Sequence, residues 1–248
     1  MHNIELEKLI NMYLDVEKYQ DYVPNGLQVE GRSEVKKILT GVTASQALLD
    51  EGVKLFVDAI IVHHGFFWKN ESDIIVNIKR KRLKTLLCND INLYGYHLPL
   101  DVHPIIGNNV KFGELLEVEI DRYILPLLPM GHFLKIITPD DLMLRLSNKL
   151  KRQPLYVGRK YGVKEIRTVA WCTGSGQNFI QAAGEAGADA FITGEVSEQT
   201  IHIAREMGIH FYAAGHHATE RSGIKMLGKW LQKDYNFSVC FIDIPNPA

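Results

Sequence analysis

The sequence predicts an α/β protein built from two interleaved, duplicated α/β repeats with parallel or mixed sheets. Three observations carry that reading. A strand, a helix and a second strand follow one another over residues 36–64. The same order recurs 131 residues further along the chain. No Gly/Ser-rich or Pro-rich linker separates the copies, so two interlocked halves fit better than separate beads.

The elements follow in order. Leu6, Leu9, Ile10, Tyr13 and Leu14 recur at helical spacing, so the chain opens with an amphipathic helix. Pro24 with Asn25-Gly26 then marks a tight turn. Residues 36–43 read as a strand, and Thr43 and Gln46 stand at capping-box spacing before a helix that runs to about Leu55. DAIIVHHG supplies a short apolar strand ending on His63 and His64. Strand, helix, strand implies a right-handed parallel unit with both sheet faces covered.

Sliding the chain against itself sets Gln46 on Gln177, Leu49 on Ile180, Asp58 on Asp189, Ala59 on Ala190 and Ile61 on Ile192. Further on, INLYGYHLPLD resembles IHFYAAGHHATE, which pairs His97 and Asp101 with His216 and Glu220. Between the copies, residues 126–160 hold Pro126, Pro129, a strand-like HFLKIIT and a helix opening at Thr138-Pro139. A second small sheet is expected there. The expected division is 1–125 plus 210–248 for a first domain with most of the metal ligands, and 126–209 for a second, interlocked one.

Composition narrows the function classes. Of 248 residues, 46% are hydrophobic and 23% charged, which is ordinary for a globular chain with a sizeable core. A net charge of −1 gives no overall basic field for nucleic acid or anionic membrane. Cys88, Cys172 and Cys240 are too scattered for a disulfide framework or a cysteine-built zinc site. The charged N-terminus lacks the apolar core of a signal peptide, and no apolar run is long enough to span a bilayer. The expected location is the cytoplasm.

Three histidine-rich segments carry the chemistry. His63 and His64 lie where an apolar strand runs into Gly65, and ligands are often placed at the carboxyl ends of parallel strands. Taken alone, such a pair is more often one core histidine and one exposed neighbour. YHLPLDVH holds His97, Asp101 and His103; Pro99 argues for a loop, so the spacing does not by itself align the side chains. In AGHHATERSG a helix is expected from about His217 to Lys229, with His216 and Glu220 sharing a face and His217 as the alternative ligand. His63, His64, Asp101, His216 and Glu220 are enough for two metals about 3.5–4 Å apart, with coordination positions left open. Glu195 or Glu198 could act as general base or acid, and His97 could orient a ligand or donate a proton.

Two further features are weaker. CTGSGQ invites a phosphate-loop reading but lacks the Lys-Ser/Thr of a Walker loop, and a plain tight turn competes with it. Lys79, Arg80, Lys81, Arg82 and Lys84 could meet nucleic-acid phosphates. Leu83, Leu86 and Leu87 make the run read more simply as the exposed face of a helix with one buried side.

PNGLQVEG, GVTASQALLDEG, IIVHHGFFWK, NLYGYHLPLD, AWCTGSGQ, FITGEVSEQ and AGHHATE together span nearly the whole chain. On these segments the protein resembles the GTP cyclohydrolase 1 type 2 homologue family, also called Nif-three-like proteins. The resemblance implies the Nif-three-like fold of two interleaved repeats. It also implies a dinuclear centre of two divalent ions (zinc, iron, manganese or nickel) held by His63, His64, Asp101, His216 and Glu220. It further implies a toroidal homohexamer, a trimer of dimers. The activity implied is that of a metal-dependent hydrolase on a nucleotide-type substrate; the alternative is a non-catalytic metal-binding ring that serves as a scaffold or associates with nucleic acid. Many relatives read Asp-Asn-x-Gly-Leu at the first turn, where this chain has Pro24-Asn25-Gly26-Leu27.

Overall fold

The computed structural model describes residues 1–248. It divides into two compact units: Met1–Ile106 with Gly223–Pro245, and Gly107–Ser222 with Asn246–Ala248. These boundaries differ from the expected 125/126 and 209/210. Phe112, Leu116 and Val118 join the second unit's core, and the strand beginning at His210 lies in the second unit's sheet.

The first unit opens with α1 (Asn3–Tyr13), closed at its start by a capping box of His2 and Glu5. Leu6, Ile10 and Leu14 are buried on one side of it. Each buried side chain contributes about 1.5–3 kcal/mol, whereas helix propensities differ by at most about 0.7 kcal/mol per ordinary residue. Packing therefore holds this helix more than propensity does. β1 (Gly26–Val29), β2 (Lys37–Thr43), α2 (Gln46–Lys54), β3 (Ala59–His64), α3 (Asn77–Cys88), β4 (Asn92–Gly95) and α4 (Leu98–Val102) follow.

The second unit holds α5 (Asn108–Leu116), β5 (Val118–Leu125), β6 (Leu128–Ile137), α6 (Pro139–Leu150), β7 (Leu155–Val157) and β8 (Ile166–Cys172). After these come α7 (Ile180–Glu185), β9 (Ala190–Thr193), α8 (Glu198–Met207), β10 (His210–Ala213) and α9 (His216–Thr219). The chain returns to the first unit through α10 (Arg221–Tyr235) and ends in β11 (Ser238–Phe241).

Each unit carries one sheet. The first runs β1-β4-β3-β2-β11, parallel except for β1. The second runs β5-β6-β8-β9-β10-β7, with β8, β9 and β10 parallel and the other pairs antiparallel. Residues 126–160 thus supply strands to this larger sheet and do not form a small one of their own. Sixteen buried residues, among them Leu6, Ile38, Ile61, Tyr94 and Leu227, make one core of the first unit, and Val29, Leu48, Ile60 and Leu93 belong to another. Trp171, Ile192 and Tyr212 lie in a core of the second unit.

The duplication is visible in register. Ile38 pairs with Ala59 in the first sheet, and Val169 with Ala190 in the second. Asp58 accepts the backbone N–H groups of Lys36 and Lys37 at 2.9 and 2.8 Å. Asp189 does the same for Arg167 and Thr168 at 3.0 and 2.8 Å. One pairing shifts. His210 takes the position of Asn92 beside the preceding strand, and Tyr212 that of Tyr94. By that register Gly215 is the repeat equivalent of His97, so the His216 motif starts one residue later than the sequence comparison places it.

Local expectations also change. The N-cap of α2 is Ser45, whose Oγ accepts the Leu48 N–H, not Thr43. Leu87 is 58% exposed, so the buried side of α3 is formed by Leu83 and Leu86 alone of the three leucines. Pro99 sits in the first turn of α4, where its missing N–H costs nothing, so a short helix forms where a loop was expected. The expected helix from His217 to Lys229 is two helices, α9 beginning at His216 and α10 at Arg221, with Glu220 between them.

Candidate metal centre

The first unit gathers its histidines at the carboxyl ends of two neighbouring parallel strands. His63 and His64 close β3, and His97 follows β4 as the N-cap of α4. Adjacent strand residues normally face opposite ways, yet the rings of His63 and His64 lie 4.6 Å apart between centroids. The strand pairing runs through His64, opposite Thr43. Ring nitrogens of His63, His64 and His97 come within 4.8 Å of one another. Gly65 allows the turn here because a Cβ would collide with the Gln28 side chain, whose Oε1 accepts the Phe66 N–H.

Each imidazole is tethered through Nδ1. His63 Nδ1 donates to the Tyr96 carbonyl at 2.9 Å, and His64 Nδ1 lies 3.1 Å from Thr43 Oγ1. His97 Nδ1 lies 3.0 Å from Asp21 Oδ1. Such tethering leaves Nε2 to face outward, the arrangement metal-ligating histidines almost always use. Asp101 Oδ1 stands 3.4 Å from His63 Nε2, and both side chains are buried. An imidazole nitrogen and a carboxylate oxygen at that separation can share one cation, since each bonds a divalent ion at about 2.0–2.2 Å.

The Asp21 side chain is buried too. Burial alone would raise its proton affinity, but the hydrogen bond from His97, with those from Asn25 and the Leu98 N–H, holds its carboxyl below the usual carboxylate range. Tyr22 and Trp68 flank the group, with ring centroids 5.0 and 5.3 Å from that of His97. Tyr22, with 51% exposure, and the half-buried Trp68 give this corner an aromatic wall. The Trp68 ring is pinned by a hydrogen bond from Nε1 to the Gly65 carbonyl.

The second unit repeats the chemistry with carboxylates. His216 Nε2 lies 3.0 Å from Glu220 Oε2, and its Nδ1 lies 2.6 Å from Glu195 Oε1. Burial opposes charging of this imidazole, but Glu220 and then Glu195 outweigh it, and the pKa is pushed up to about 9. Glu195 is itself held by Ser175 Oγ at 3.2 Å and Gln177 Nε2 at 3.4 Å. Glu195 therefore touches the His216 nitrogen that faces away from Glu220. Glu198 lies exposed in the first turn of α8. His217 is buried in α9 beside His216.

The glycines of CTGSGQ serve this corner structurally. Gly174 has φ +68°, and a Cβ there would strike Glu220 Oε1. The N–H groups of Gly174 and Gly176 donate to Thr219 Oγ1 and Thr193 Oγ1 at 3.0 and 2.9 Å. Donors already engaged in this way do not cradle a phosphate, so the tight-turn reading holds. His103 is also structural: Nε2 bonds the Tyr13 carbonyl at 3.0 Å, and the ring packs on Tyr13.

The structure thus brings His63, His64, His97 and Asp101 together in the first unit, and His216, Glu220 and Glu195 in the second. Both sets fit a divalent ion: imidazoles held at Nδ1 beside the buried carboxylates of Asp101 and Glu220. Sequence reasoning missed Asp21, Asn25, Thr43 and Trp68. The available signal was Asp21 and Asn25 flanking Pro24 in a turn otherwise read only for its geometry.

The family model described as Duf34/NIF3 (NGG1p interacting factor 3) matches residues 1–247. Proteins from Yersinia pestis and Escherichia coli, each named GTP cyclohydrolase 1 type 2 homolog, are 58% identical over the full length of both chains. A solved structure described as protein ybgI, of unknown function, has the same identity, full coverage of both chains and a TM-score of 0.99. TTHA1606 from Thermus thermophilus is 33% identical, again with full coverage of both chains, at a TM-score of 0.91. From motif, fold and these relatives alike, the chain belongs to the Duf34/NIF3 family.

Proposed function

We propose that the protein is a metal-dependent hydrolase acting on a nucleotide-type substrate. The observation that carries this reading is the set of imidazoles tethered at Nδ1 beside buried carboxylates. His63, His64 and Asp101 would supply three ligands and His216 and Glu220 two, together holding a dinuclear centre as the family resemblance implies. The ions, when bound, ease deprotonation of water and stabilise negative charge developing on the substrate. The protein's part is to fix each ligand's tautomer and to orient the reacting groups. Glu195 orients His216 and is not required to touch substrate. Tyr22 and Trp68 offer flat surfaces on which a planar base can stack.

The name carried by the 58% identical relatives supports GTP as the first compound to try. Attack would fall on an electrophilic carbon of the base or on phosphorus. The test is metal analysis followed by turnover on a nucleotide panel, comparing wild type with His64→Ala and Glu220→Ala. The expected result is metal-dependent turnover that both substitutions abolish. Bound metal with no turnover on any nucleotide sinks the hydrolase.

One observation favours a second reading, a non-catalytic ring that meets nucleic acid. Arg80, Lys81 and Lys84 are exposed along α3, and Ile74, Ile75, Val76 and Ile78 are exposed just before and within its first turn. That apolar run also supports self-assembly into the homohexamer. Salt-dependent oligonucleotide binding that vanishes on neutralising the three cations would select the scaffold.

A further inference from the structure

We propose that Asp21 and Asn25 clamp His97 as the proton acceptor for the attacking water, with Asp21 and Asn25 as positioning residues. This rests on the hydrolase reading above and deepens it.

The clamp is closed on every side. Asp21 Oδ1 accepts the Tyr22 N–H at 2.7 Å and lies 3.0 Å from His97 Nδ1. Asp21 Oδ2 accepts the Leu98 N–H at 2.9 Å and Asn25 Nδ2 at 3.0 Å. Asn25 then reaches across with Oδ1 to accept the His97 backbone N–H at 2.7 Å. The side chains of His97 and Asp21 are 7% and 2% exposed, so water does not compete for these bonds.

The consequences follow from donor arithmetic. An ionised carboxylate only accepts, so the His97 proton resides on Nδ1 and Nε2, 3.4 Å from the Tyr22 hydroxyl, is the basic nitrogen. His63 and His64 are backed by a neutral carbonyl and a neutral hydroxyl, whereas His97 is backed by a carboxylate. A carboxylate on Nδ1 balances the positive charge when Nε2 takes a proton, the role it plays in hydrolytic triads. One ring nitrogen from each of His63, His64 and His97 lies within 4.8 Å of the others, so a single water can reach from His97 to the ligand imidazoles. In the step, a water O–H bond breaks and its proton goes to His97 Nε2. The electron pair forms the new bond to the electrophilic carbon or phosphorus, and the proton returns with the leaving group.

The experiment uses the zinc-loaded full chain and the nucleotide found in the panel. Long-range 15N imidazole NMR is expected to show His97 with its proton on Nδ1 and Nε2 unligated. His97→Gln is expected to keep its zinc and lose about 10²–10⁴-fold in kcat. Asp21→Asn is expected to keep zinc and KM, to lose the single tautomer and to lose kcat, with partial rescue by Asp21→Glu. Zinc lost from His97→Gln, unchanged kcat in that variant, or an Nε2–H tautomer in wild type each overturns the proposal. A wild type that turns over nothing overturns the hydrolase and the proton-transfer role together, while the tautomer still decides whether the clamp exists.

Discussion

His216 shows how two carboxylates hold one imidazole. The charged ring directs Nε2–H to Glu220 and Nδ1–H to Glu195, and these partners push its pKa up to about 9 against an ordinary 6.5. In the metal-free protein this raised value contributes stability that is fully present below about 6.5 and is lost as pH rises through about 9. A divalent ion binding at Nε2 would have to displace the proton there. Apparent manganese affinity is therefore expected to climb between pH 6.5 and 9 and then level, measured by calorimetric titration. An affinity flat across that window contradicts the assignment. Glu195→Ala is expected to weaken metal binding by about 10–100-fold while leaving the fold intact, because Glu195 orients a ligand without being one. Unchanged metal affinity in this variant removes that role.

At the scale of elements, the repeat can be read in its aspartates. Asp58 and Asp189 each tie two backbone N–H groups at the start of a parallel strand. Asp58→Ala and Asp189→Ala are each expected to cost about 1–3 kcal/mol by leaving those donors unsatisfied. Urea unfolding followed separately for each variant checks this, and a loss confined to one of the pair argues against a shared role. Much of this was legible in the sequence, because apolar runs, the Asp58/Asp189 match and the strand-end histidines are local signals. Asp21 was not, since its partner His97 is 76 positions away and only the fold brings β1 beside β4. Thr43 was misread for a related reason: its spacing suited a cap, but Ser45 caps α2 and Thr43 faces His64.

For the whole molecule, metal bound to the folded chain alone would link occupancy to stability. Saturation at about 100 times Kd adds about 2.7 kcal/mol, so chelation is expected to lower the melting temperature, and re-addition of metal to restore it. A melting curve indifferent to chelator argues that no structural load rests on the ions. Six copies of a 28.2 kDa chain are expected by sedimentation if the apolar run ahead of α3 is covered by self-assembly. A monomer under native conditions refutes the ring.

β11 pairs with β2 along Ser238–Phe241, while the other strands of its sheet lie within the first 95 residues. During synthesis the first unit therefore waits, with the outer edge of β2 unpaired, until nearly all of the chain has left the ribosome. The second unit needs only the three residues 246–248 from beyond Ser222 and can assemble first, although it is encoded later. An unpaired edge invites pairing with other chains. Nascent chains stalled just before Ser238 are thus expected to be the species that chaperones hold longest. Chains arrested after Phe241 has emerged should be released, a difference that ribosome-bound crosslinking can read.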